Sequence, residues 1–275
     1  MGLSYETPPA VSMVRALVRA GRGGPIPRIE ASARALPGES SAYATLCGFP
    51  SGGPLPLTWP NVLVRGLQLA VMTAPEFPLR LAGIVHTAQQ ITRLRHLSPS
   101  EPLNATCWVE GHRPARSGGE FDLHAVVRSG DEEVWRAVTT ILSRALPGDG
   151  VKRAPAEEPA FKVRRSVCWR LPADLGRRYA AVSGDYNPIH LSPWTSRPFG
   201  FARPIVHGWW TLARALAELD EDVPESVTVN ARFRAPVPLP GTIAFQSGPS
   251  ASGHRFTVSR GGKLAVSGEV TPAGS

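Results

Sequence analysis

The 275-residue chain is 42% hydrophobic and 19% charged, which excludes a disordered or low-complexity protein and suffices for one large domain or two ordinary ones. Its formal charge of +8 comes from dispersed arginines without a Lys/Arg block, which gives no nucleic-acid-binding stripe and fits an anionic small-molecule or protein partner, or codon usage alone, equally well. Cys47, Cys107 and Cys168 form no C-x-x-C, the seven histidines form no H-E-x-x-H, and no apolar run reaches the length of a membrane span.

Those absences predict a reduced, cytoplasmic protein with no metal, no cofactor and no membrane insertion. At the N-terminus, Val11 to Ala20 with Arg15 and Arg19 reads as a short amphipathic helix or a strap over the first domain. High Pro and Gly contents, 28 and 27 residues, favour short strands and turns over a helical bundle.

Val62 to Thr73 is an apolar helical run that Pro75 and Pro78 terminate. Four strands are expected next, at Ile84–Leu97, Ala105–Arg113, Glu120–Ser129 and Glu133–Leu146, rich in Val, Thr, Trp and Ile with turn residues between. A Pro-, Gly- and Glu-dominated stretch then loses all apolar periodicity and reads as a linker. Beyond it come a strand at Phe161–Trp169, a helix at Ala173–Val182 and an apolar helix at Val206–Leu219. Val227, Val229, Ala231 and Phe233 alternate with polar residues, the period of a half-buried strand. Thr242–Ser247, His254–Arg260 and Lys263–Val270 complete a second sheet.

The two halves repeat one another. Leu36-Pro37, Tyr43-Ala44 and Gly48 return as Leu171-Pro172, Tyr179-Ala180 and Gly184. Trp59-Pro60-Asn61-Val62 parallels Arg203-Pro204-Ile205-Val206, and Arg93-Leu94-Arg95 parallels Arg232-Phe233-Arg234. Three correspondences in one order indicate an internal duplication. The expected division is 1–146, a linker at 147–160, and 161–275.

Only the second copy carries candidate chemistry. Ser183-Gly184-Asp185-Tyr186-Asn187-Pro188-Ile189-His190 places a carboxylate and an imidazole around a turn-forming Asn-Pro. Pre-proline Asn187 is driven toward an extended conformation, so the loop can fold Asp185 and His190 toward one water. Where the second copy has that loop, the first has Phe49 to Pro54, without acid or base.

The run resembles the signature of the MaoC-like, or hydratase-2, family of (R)-specific enoyl-thioester hydratases and 3-hydroxyacyl-thioester dehydratases. Tyr179, Ser183, Gly184, Asp185, Asn187, Pro188, His190, Pro204, Ile205, His207 and Gly208 all match with their spacing kept. The resemblance implies an α+β double hotdog, two antiparallel sheets each wrapping a central helix and joined side by side. It implies Asp185 and His190 as the catalytic dyad, and the backbone N–H of Gly208 as an oxyanion donor. The substrate would be an acyl-CoA or acyl carrier protein thioester; a homodimer is compatible with the sequence. Asn187 is expected to orient the loop or touch substrate, Trp209 and Trp210 to narrow the acyl channel, and Arg203 to meet carrier phosphates. His207 reads as a satisfied histidine at a helix start. A hotdog acyl-thioesterase is the alternative, opposed by the lack of Asp or Glu in Val206–Ala217. A non-catalytic acyl-thioester-binding protein is opposed by the intact dyad.

Overall fold

The computed structural model describes residues 2–6, 21, 24–35, 40–151, 160–219 and 223–274. The expected helix or strap at Val11–Ala20, and positions 152–159 of the linker, lie outside the described residues. The chain forms two compact units, one of Met1–Gly38, Pro60–Ile91 and Leu97–Glu157, the other of Glu39–Trp59, Thr92–His96 and Glu158–Ser275. Two helices precede the first long strands, α1 (Ser41–Cys47) and α2 (Pro60–Thr73).

The first unit holds α2 and the strands β1 (Gly2–Tyr5), β2 (Ile29–Ala35), β3 (Ile84–Arg93, ending in the second unit), β4 (Leu103–Ala115), β5 (Gly118–Ser129) and β6 (Glu132–Ser143). They order as β1-β2-β4-β5-β6-β3, with β1 parallel to β2 and the β2–β4, β4–β5 and β5–β6 ladders antiparallel. Along β5, Phe121, Leu123, Ala125 and Val127 are buried while their neighbours reach the other face. Helix α2 turns Leu63, Val64, Leu67, Ala70 and Val71 inward and packs across β2 and β4. Strand β2 was not expected from the sequence. Its alanines have low strand propensity, and only the alternation of Ile29, Ala31 and Ala33 inward marks it.

The second unit has β7 (Arg165–Leu171), β8 (Val227–Phe233), β9 (Gly241–Pro249), β10 (His254–Arg260) and β11 (Lys263–Pro272) in the order β8-β11-β10-β9-β7, all antiparallel. Read from the other edge, β7-β9-β10-β11-β8 reproduces the first unit's β2-β4-β5-β6-β3. The repeat in the sequence is therefore also a repeat of topology. Helices α3 (Leu175–Ser183), α4 (Pro193–Ser196) and α5 (Gly208–Glu218) complete it. Helix α5 buries Trp209, Trp210, Leu212, Ala213, Ala215 and Leu216, and each large apolar side chain so buried contributes about 1.5–3 kcal/mol. Each unit is a mostly antiparallel sheet on one long helix, the α+β hotdog layout.

Some element boundaries differ from expectation. Helix α5 begins at Gly208, not Val206, because His207 is extended (φ −64, ψ 132); Val206 donates its N–H to the Val237 carbonyl instead (2.9 Å). Helix α2 begins at Pro60, not Val62, with proline at its first position. Strand β7 begins at Arg165, not Phe161.

Helix α1 packs on α3 and α5 in the second unit. Trp210 Nε1 donates to the Leu46 carbonyl at 3.1 Å. The Arg214 guanidinium lies where a Cβ on Gly48 would have to go, and Gly48 closes α1 with φ +83. Arg214 also lies 5.0 Å over the Trp169 ring and pairs with buried Glu218, which in turn holds Arg165 at 2.7 Å.

All three cysteines are free thiols, Cys47 and Cys107 buried and Cys168 exposed. Burial pushes the Cys47 thiol up to about 12 and raises the Cys107 thiol and the Tyr43 hydroxyl as well. These groups are neutral in the folded chain at pH values where the unfolded chain ionises them. Their contribution is complete below the unfolded thiol value of about 8.5 and is lost as pH rises through the folded values. Melting temperature should fall from roughly pH 8.5 upward. At about pH 8 a thiol reagent should modify Cys168 alone in the native protein; rapid labelling of Cys47 would contradict its burial.

Candidate active site

The loop that follows α3 is built by short-range bonds. Gly184 ends the helix with φ +71, a conformation open to glycine, and donates to the Ala180 carbonyl at 2.9 Å. Ser183 Oγ donates to the Tyr179 carbonyl (2.7 Å) and accepts the Asp185 N–H (3.2 Å). Asp185 Oδ1 accepts the Asn187 N–H at 3.2 Å, the self-capped turn that Asp at this spacing favours. Asn187, extended at ψ 123, caps the 3-10 turn Pro188–His190 through its side-chain oxygen.

Longer-range contacts then fix the imidazole. Ile205 donates its N–H to the Ile189 carbonyl (3.0 Å) and offers its own carbonyl to His190 Nδ1 (2.7 Å). A carbonyl only accepts, so Nδ1 carries the proton and Nε2 is the basic nitrogen of the neutral ring. The loop is braced from outside as well. Thr195 Oγ1 on α4 donates to the Pro188 carbonyl (2.7 Å), and Arg177 Nη1 to the Leu191 carbonyl (3.0 Å). Gly176 on α3 sits so close to the His190 carbonyl oxygen that a Cβ there would overlap it.

His207 joins this pair, a placement the sequence reading as a helix-start histidine did not anticipate. It is the N-cap of α5, 1% exposed, and its Nε2 donates to the main-chain carbonyl of Asp185 at 3.0 Å. Its ring stacks on His190 with centroids 3.7 Å apart and planes at 27°. A carboxylate oxygen of Asp185 and ring nitrogens of His190 and His207 all lie within 4.8 Å of one another. His207 Nε2, at 4.0 Å from Asp185 Oδ2, keeps its proton on the carbonyl and has no lone pair there for a metal ion. The signal for His207 was present in the Pro-Ile-x-His-Gly spacing, but its contact with Asp185 spans 22 residues and is invisible to local patterns.

Gly208 is the first residue of α5, where backbone N–H groups have no intrahelical acceptor and face the positive end of the helix dipole. A Cβ on Gly208 would meet the Phe233 ring at 2.9 Å, so glycine lets the helix end seat against β8. Trp209 is buried next to it, and Trp210 is turned toward Leu46 and the Trp169 ring (6.4 Å, edge-on). Arg203 is exposed two residues before Ile205, and Arg197 lies 5.3 Å over the exposed Trp194 ring. The arrangement offers a base, a carboxylate and an amide donor at a helix start. That set suits proton transfer next to a carbonyl.

Comparison with known proteins agrees with this chemistry. A family model described as MaoC like domain matches residues 151–261. The 3-hydroxyacyl-thioester dehydratase X of Mycobacterium tuberculosis is 33% identical over 225 residues, 81% of this chain and 80% of that protein. A crystal structure of HtdX from the same organism superposes with a TM-score of 0.77 at 30% identity, covering 88% of this chain and 99% of that one. The (R)-specific enoyl-CoA hydratase of Aeromonas caviae is 30% identical over 104 residues, 34% of this chain and 78% of that protein.

Proposed function

Since this chain belongs to the MaoC-like dehydratase family, we propose that it catalyses the reversible syn hydration of trans-2-enoyl thioesters and dehydration of (3R)-hydroxyacyl thioesters in fatty-acid metabolism. It is a hydro-lyase. The observation that carries the reading is His190, whose Nδ1 is committed to Ile205 so that Nε2 acts as base beside the Asp185 carboxylate.

In hydration, Nε2 takes a proton from water as the water oxygen bonds to C3. The negative charge that develops on the thioester oxygen is met by the Gly208 N–H. His190 then returns the proton to C2 on the same face, which makes the addition syn. Asp185 accepts the hydrogen bond of the remaining water hydrogen and fixes the attack angle. Dehydration runs these steps in reverse. Asn187 holds the loop, Trp209 borders the acyl chain, and Trp210 sets the helix that carries both. Arg203 and Arg197 suit the phosphates of a CoA or acyl-carrier-protein thioester. A reducing, cytoplasmic setting suits three free thiols. Among the described residues no helix is long and apolar enough to cross a membrane.

Crotonyl-CoA and longer enoyl thioesters test the reading. Absorbance at the enoyl-thioester band should fall without release of a free thiol. Thiol release would make the protein a thioesterase, and no change with any chain length on either carrier would remove the hydratase assignment.

A further inference from the structure

We infer that the N-terminal half of the sequence, which has no acid or base of its own, supplies a positioning residue to the dyad: Tyr43 on α1, acting through Tyr179 and His207. The inference rests on the hydratase reading of Asp185 and His190. Four rings stand in consecutive contact. Tyr43 and Tyr179 lie 6.0 Å apart at 49°, Tyr179 and His207 4.7 Å at 52°, and His207 and His190 3.7 Å at 27°. Tyr43, Tyr179 and His207 are 1%, 2% and 1% exposed, so none can tilt without displacing its neighbour.

The outer end of this column is anchored. Tyr43 donates its hydroxyl to Thr58 Oγ1 at 2.9 Å, and Trp210 holds the Leu46 carbonyl on the same helix. The inner end bears on both members of the dyad. The His207 ring lies against His190 while its Nε2–H holds the Asp185 main chain, so a change in the plane of His207 moves base and carboxylate together. Tyr43 and Tyr179 are also the matching tyrosines of the duplicated Tyr-Ala. The first copy lost Asp and His yet presents its tyrosine to the second copy's.

Ordinary core packing would give the same burial, so the test needs a readout of the imidazole itself. Tyr43→Leu removes the ring and Tyr43→Phe only the hydroxyl. In the leucine variant kcat should fall on the order of tenfold, with KM within about twofold of wild type. In 15N-histidine NMR spectra the wild-type His190 should show one tautomer, protonated at Nδ1; the leucine variant should show averaged signals. The phenylalanine variant should recover most of the rate and the single tautomer. Should the leucine variant not fold, Tyr43→Met, whose unbranched chain adapts to an irregular space, carries the same expectations. Unchanged kcat, unmoved His190 signals, or an equal loss in the phenylalanine variant would each overturn the inference. The NMR readout needs no substrate, so it decides the inference even if wild type hydrates no enoyl thioester.

Discussion

Replacing His190 by alanine is expected to lower turnover of the best enoyl thioester by about 10²–10⁴-fold, the range for loss of a positioned general base. Nothing else within the cluster can take over. The His207 Nε2–H is committed to the Asp185 carbonyl. Asp185→Asn should fall at the lower end of that range. An amide oxygen can still accept the Asn187 N–H now taken by Oδ1 at 3.2 Å, so the loop keeps its shape while the charge that orients the water is lost. Steady-state rates with each variant, alongside melting temperatures, check both statements. A folded His190→Ala protein with near-normal rates would sink the assignment of the base.

The second large effect is expected from a residue with no side chain. Gly176→Ala places a methyl group on the His190 carbonyl oxygen, and that carbonyl belongs to a turn tied to Ile205, Thr195 and Arg177. Backbone so held cannot retreat cheaply, so the substitution should cost about 1–3 kcal/mol or more of stability. The displaced turn should also lower kcat by at least about tenfold. Gly53→Ala is the control, since nothing lies within 4 Å of its Cβ position and its φ is not positive. If Gly176→Ala kept wild-type melting and rate, the packing of α3 on the turn would be misread.

The two variants show what local patterns can carry. Asp185, Asn187 and Pro188 write their own turn, because each acts on backbone two residues away, and that turn was legible. The choice of His190 nitrogen was not, because it depends on a carbonyl 15 residues on. Gly176 was silent for the same reason, since the atom it avoids belongs to His190. The alternation of β8 and the apolar runs of α2 and α5 marked those elements, whereas the alanines of β2 left it unmarked. The start of α5 shifted because His207 is extended, with its ring held on the Asp185 main chain 22 residues back. The duplication was readable as sequence, but the seating of α1 against α3 and α5 was not. Tyr43 marks the repeat in the sequence, but its ring contact with Tyr179 belongs to the fold.

The seating of α1 also bears on how the protein is made. The stretch 39–59 leaves the ribosome before its partners on α3 and α5, which follow more than a hundred residues later; Trp210 and the Leu46 carbonyl are separated by 164 positions. Until then Tyr43, Cys47, Leu55 and Leu57, all buried in the finished fold, have no surface to cover. Such long closures slow folding and leave apolar segments open to misassociation during synthesis. The catalytic copy is therefore completed by a stretch of chain that precedes it by more than a hundred residues, and a fragment beginning at the linker would contain every reacting group but lack the helix that covers α3 and α5.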